Sequence, residues 1–103
     1  MENQHRKIKG YRELNETEIS LMNEIKAKGV ELGELVTKIN DYLAKQRNDN
    51  AVAYINAEEG SEAFEEMARL KVAETARWAS IGKTDLQTGL MALTRSIAQP
   101  GFF

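Results

Sequence analysis

"LNETEISLMNEIKAKGVELGELVTKINDYL", Leu14 to Leu43, decides the fold of this chain. Its apolar and small positions Met22, Ile25, Gly29, Leu32, Val36, Ile39 and Leu43 advance in alternating steps of three and four. That period is helical and nearly heptad, so it places one stripe along one face of a long helix. Leu21, Leu35 and Tyr42 widen the stripe on one side. The start is legible as well: Asn15 can cap, Glu18 falls at N3 to close a capping box, and Leu14 with Ile19 forms a hydrophobic staple. The spacing predicts a first helix over 16–47, ended by "RNDN" at 47–50.

The connection that follows reads "NDNAVAYINAEEGS", in which Ala51 to Ile55 is apolar enough for a further helical turn. A second helix starts near Asn56, which has the better capping box through Glu59, or at Ser61. Nothing stops it before Pro100, so its expected span is 56–98. Ala68, Val72, Thr75, Ala79, Gly82, Leu86, Gly89, Leu93 and Ser96 form its seam, and many of them are small. Gly82 and Gly89 each cost about 1 kcal/mol against alanine inside a helix, so they mark a bend or a tight crossing. The expected architecture is all-α: one domain, 1–103, made of a long antiparallel helical hairpin behind a short basic segment, 1–15. One hairpin leaves a face of each helix uncovered, and Leu70, Trp78, Ile81, Leu90, Phe102 and Phe103 add apolar surface beyond the seam. Small domains with too little core are commonly completed by association, so an obligate helical oligomer is expected.

Composition narrows the function classes. The chain has 103 residues, 42% hydrophobic and 29% charged, which suits one folded soluble domain. No apolar run approaches the roughly 20 residues of a membrane span, and no apolar h-region follows the basic N-terminus. Cysteine is absent, which excludes disulfides, thiol catalysis and cysteine-bound metal. His5 is the only histidine, and no phosphate loop, HExxH or GxSxG pattern occurs. Glu58-Glu59 and Glu65-Glu66 read as acids favouring a helix N-terminus. We therefore expect no catalytic residue, no metal and no cofactor.

Binding is easier to argue. Lys plus Arg number 14 against 16 Asp plus Glu, yet the first twelve residues hold Arg6, Lys7, Lys9 and Arg12 against Glu2 alone. "KIKGYR" pairs phosphate-binding cations with a tyrosine able to stack on a base for roughly 1–3 kcal/mol. Gly10 lets the backbone approach a ligand. The plainer alternatives are a packing role for Tyr11, a snorkelling role for Lys26 beside the stripe, and interface packing for Arg77-Trp78.

"NQHRKIKGYREL", "LMNEIKAKG" and "ARWASIGKTDLQTGLMALTRSIAQP" together resemble the phage anti-CBASS protein 2 family of cyclic-oligonucleotide sponges. The similarity covers nearly the whole chain and is weakest between about Lys45 and Glu66. It implies helical hairpins assembled into a homohexamer that binds a cyclic di- or trinucleotide messenger without cleaving it. CBASS effectors of an infected bacterial cell would then stay inactive, which places the protein in the host cytoplasm. Carried over by position, the dinucleotide site falls on Tyr11 and Lys26, with Gly10 and Arg12 beside them. The trinucleotide pocket falls on Arg77 and Lys28; Lys28 stands where some members carry a small hydroxyl residue. A rival reading, a small helical nucleic-acid-binding or assembly protein without a small ligand, remains beside it. Four basic residues on a net acidic body argue against long nucleic acid.

Overall fold

The computed structural model describes residues 12–102, which form three helices: α1 (Glu16–Ile55), α2 (Glu62–Ala73) and α3 (Thr75–Ala98). No strand occurs among the described residues, as the helical period predicts. Gly10, Tyr11 and Phe103 lie outside the described residues. The start of α1 forms the predicted capping box. The Asn15 N–H donates to Glu18 Oε1 at 3.0 Å, and the Glu18 N–H donates to Asn15 Oδ1 at 2.8 Å. Two donors that the first turn leaves without helical partners are thereby satisfied.

Contacts gather the chain into two compact units, one combining the described residues through Leu32 with those from Asp85 on, the other Gly33–Thr84. In the first unit α1 and α3 run antiparallel. Arg12, before α1, bonds to Ile97 at the end of α3, whereas a methyl added at Gly29 would meet Leu90 Cδ1 at 3.5 Å. The half-covered positions of α1 are Met22, Ile25, Gly29 and Leu32, the stripe expected from the sequence. On α3 they are Leu90, Thr94 and Ile97, each one residue beyond the expected Gly89, Leu93 and Ser96, which are exposed. A side-chain carbon at Gly29 would meet Leu90 only at ordinary contact distance, and ones at Gly82 and Gly89 would meet nothing within 4 Å, so neither of the two expected glycines marks a tight crossing.

In the second unit α1 does not stop at Arg47. It continues through "RNDN" to Ile55, so the expected end is corrected by two helical turns. Asn and Asp usually break helices because their side chains compete for nearby backbone groups. Here those side chains are engaged elsewhere. Asp49 pairs with Lys45 at 2.6 Å, and Asn50, 6% exposed, donates through Nδ2 to the Ala63 carbonyl at 3.2 Å. Tyr54 meets Phe64 with ring centroids 4.6 Å apart, tying the end of α1 to α2.

The expected second helix, 56–98, is likewise corrected. It begins only at Glu62, after Gly60 at φ 83 and the N-cap Ser61, and it breaks at Glu74. Glu74 is left-handed, φ 48 and ψ 51, and its N–H closes α2 onto the Leu70 carbonyl at 3.2 Å. Its own carbonyl accepts from the Trp78 N–H at 3.1 Å and so opens α3. Gly60 at positive φ keeps the chain out of a helix before Ser61, and the left-handed Glu74 ends one hydrogen-bond ladder and begins the next.

No apolar side chain among the described residues is fully buried, and Val52, Ile55, Val72 and Met91 are each more than two-thirds exposed. Because Glu74 holds a conformation that glycine adopts without a side-chain penalty, Glu74→Gly should raise stability by about 0.5–1 kcal/mol. The lost Arg77 contact at 3.7 Å is exposed and offsets only a few tenths of that. Thermal denaturation of the variant checks this; a lower midpoint would mean that Glu74 is held by contacts stronger than its strain.

Candidate functional site

The N-terminal approach to α1 is held by charge. Arg12 forms a two-pronged ion pair with Glu18, Nη1 to Oε1 at 3.2 Å and Nη2 to Oε2, and Nη2 also donates to the Ile97 carbonyl at 2.7 Å. That carbonyl belongs to the last turn of α3, where carbonyls lack helical partners and the helix dipole favours a cation. The Glu18 carboxyl is held below the usual carboxylate range, first by the Arg12 hydrogen bond and then by the Asn15 N–H. The Arg12 guanidinium is correspondingly raised by Glu18. Arg12, expected beside the ligand, is thus committed to joining the two helix ends.

The end of α3 is built for a sharp turn. Gln99 is left-handed at φ 48, its N–H donates to the Arg95 carbonyl at 2.8 Å, and Pro100 follows. This is an αL cap, after which proline prevents further helix. The returning segment brings the Phe102 carbonyl to Arg95, whose Nη2 donates to it at 2.7 Å.

Between α1 and this segment lies an open hollow of 510 Å³, within the range of small-molecule sites. Ile25, Lys26 and Gly29 line it from α1, Leu90, Met91, Thr94, Arg95 and Ala98 from α3, and Pro100 and Phe102 from the turn. Thr94 turns its hydroxyl proton back onto the Leu90 carbonyl at 2.9 Å. The hollow therefore offers an apolar floor, two cationic side chains and no carboxylate. Such a surface suits a ligand with flat apolar faces and negative charge.

Lys26 lines this hollow. Lys28 lies across Ile25 and Leu90 in a smaller apolar hollow of 310 Å³ and pairs with Glu31 at 3.2 Å. Arg77 belongs to the other unit, exposed, 3.7 Å from Glu74 and with its guanidinium carbon 5.1 Å from the Trp78 ring centroid. The third hollow, in that second unit, carries Glu62, Glu65 and Glu66 with Arg69 and is poorly suited to an anion. No group of three or more metal-ligating side chains occurs among the described residues. Sequence reasoning read Pro100 as a helix stop and Phe102 as apolar surface, and assigned neither of them, nor Arg95, to a site. The available signal was a basic residue in the last turn of a helix ended by Gln-Pro, a position from which a long side chain reaches the returning chain.

Comparison with known proteins places this geometry in context. The family described as "Acb2/Tad1, hairpin domain" matches residues 3–98. The protein named Anti-CBASS protein 2 from Pseudomonas phage JBD67 is 48% identical over 105 residues, covering 97% of each chain.

The depressed Glu18 carboxyl has a stability consequence of definite sign. A carboxyl with a lowered folded-state pKa contributes stability above its unfolded value and loses it as pH falls through the folded one. The Glu18 contribution should be complete at neutral pH and fade only below the ordinary glutamate pKa of about 4.3. Urea midpoints of wild type and Glu18→Gln should differ most at neutral pH and converge in acid. A gap that widens on acidification would contradict the assigned pairing.

Proposed function

The chain belongs to the Acb2/Tad1 hairpin family, and from that premise we propose that it binds a cyclic dinucleotide messenger and holds it uncleaved, so that a CBASS effector is not activated. The kinship with a phage protein named for its anti-CBASS role supports the biological setting, action inside an infected bacterial host. The observation that carries the chemistry is the hollow beside Lys26. Its apolar floor and two cationic side chains match the bases and phosphodiesters of such a ligand. In this reading Lys26 neutralises a phosphate, and Tyr11, with Gly10 allowing close approach, stacks on a base. Arg12, one residue on, supports it indirectly by fixing the chain to the ends of α1 and α3. Net charge −2 disfavours long nucleic acid while leaving a small anion free to enter a locally positive site. No helix among the described residues is long and apolar enough to cross a membrane.

Trinucleotide binding through Arg77 and Lys28 is the further part of the proposal. The guanidinium over Trp78 offers a flat cationic face of the kind that stacks on bases. Assembly is proposed on separate grounds. A chain whose described apolar side chains are all at least partly exposed gains by covering them against other copies, and a homohexamer is the state the family resemblance implies.

Light scattering should therefore give six chains, and dilution should dissociate and unfold them together; a folded monomer at micromolar concentration refutes the assembly. After incubation with cyclic GMP–AMP, heat denaturation should return the nucleotide intact, whereas linear product in excess of protein would show turnover. In calorimetry with the same nucleotide, Tyr11→Ala and Lys26→Ala should each bind roughly ten- to a hundredfold more weakly. Tyr11→Phe should bind almost normally. Wild-type affinity in both alanine variants, correctly assembled, rejects the site.

A further inference from the structure

The pairing of cations in the first unit is uneven. Its described cations are Arg12, Lys26, Lys28 and Arg95. Arg12 is compensated by Glu18 and Lys28 by Glu31. Lys26 and Arg95 have no carboxylate partner among the described residues, and these two line the same hollow. One comes from the first third of α1 and the other from the last turn of α3, so no local rule of helix charge places them together. Among the described residues both charges therefore remain available to an anion that enters the hollow.

We propose that Arg95 is the second anion ligand of this hollow, contacting one phosphate of a cyclic dinucleotide while Lys26 contacts the other. The assignment rests on the functional reading above and deepens it. A cyclic dinucleotide carries two phosphodiesters on opposite sides of its ring, so two separated cations match its charge better than one. The guanidinium has five N–H donors in a fixed fork, and one is used at 2.7 Å by the Phe102 carbonyl. That bond orients the group and leaves the other donors for phosphate oxygens, which favour planar, two-pronged recognition. The turn through Gln99 and Pro100 thereby acquires a role. It returns the chain so that a backbone carbonyl aims the arginine, and Pro100 and Phe102 supply apolar wall.

Calorimetry of the full chain with cyclic GMP–AMP, at low and high ionic strength, tests this. Arg95→Ala should weaken binding roughly ten- to a hundredfold and flatten its salt dependence, as removal of a phosphate-contacting charge does. Arg95→Lys should keep the salt dependence and recover only part of the affinity, because the charge remains and the fork is lost. Thermal denaturation of each variant follows assembly. A purely structural role would lower stability and affinity together with the salt dependence unchanged, and that outcome overturns the proposal. So does wild-type affinity in Arg95→Ala while Lys26→Ala is weakened. Absence of binding by the unsubstituted chain overturns the functional reading first, and this assignment with it.

Discussion

A helix can cover only as much of its apolar stripe as its neighbours reach, and in this chain the neighbours are few. Met22, Ile25 and Leu32 on α1 reach only half-burial, as do Leu90 and Ile97 on α3, and no described apolar side chain is fully enclosed. Burial stabilises by about 25 cal/mol per Å² of apolar surface, so half-covered stripes hold a fold weakly. The shortage shapes the remaining structure. Polar contacts at the helix ends set which residues meet, and substantial apolar surface stays exposed among the described residues.

Those polar contacts are few and specific. The Asn15–Glu18 box starts α1, Arg12 ties that start to the end of α3, and Asn50 holds α2 by the Ala63 carbonyl. None is worth much alone; a cap contributes about 1 kcal/mol and an exposed pair less. Their value is directional. An apolar stripe can slide by a turn at little cost, whereas a guanidinium on one carbonyl or a buried amide on another selects a single register. Asn50 also carries a cost, since its Oδ1 is buried without a hydrogen-bond partner.

The same economy explains the site. In the first unit, carboxylates accompany the cations that fasten helices or decorate them, Arg12 and Lys28. Among the described residues none pairs with Lys26 or Arg95. Helix-end geometry then aims Arg95: a left-handed Gln99 and a proline bring the Phe102 carbonyl to it. A site of this kind needs no catalytic group. In the proposed reading its apolar area would meet bases and its cations would meet phosphate.

Sequence by itself determined what depends on a few neighbouring residues. The helical class, the start of α1 at its capping box, and the covered stripe Met22, Ile25, Gly29, Leu32 all follow from backbone geometry within a turn or two. The family resemblance singles out Lys26, which by its place beside that stripe alone reads as a snorkelling residue. Tertiary structure decided the rest. "RNDN" stays helical only because Asn50 finds the Ala63 carbonyl across a turn, and no local reading of two asparagines anticipates that. Glu74 turns left-handed and divides what the spacing reads as one helix, and the covered positions near the end of α3 lie one residue beyond the expected seam. Arg95 likewise joins Lys26 through tertiary structure. The two are far apart in sequence and meet only because antiparallel packing of α1 on α3, and the turn beyond it, bring them to one hollow. Periodicity specifies which face of a helix is apolar; which residues from another helix arrive opposite it is set by packing, phase and the polar contacts that lock the register.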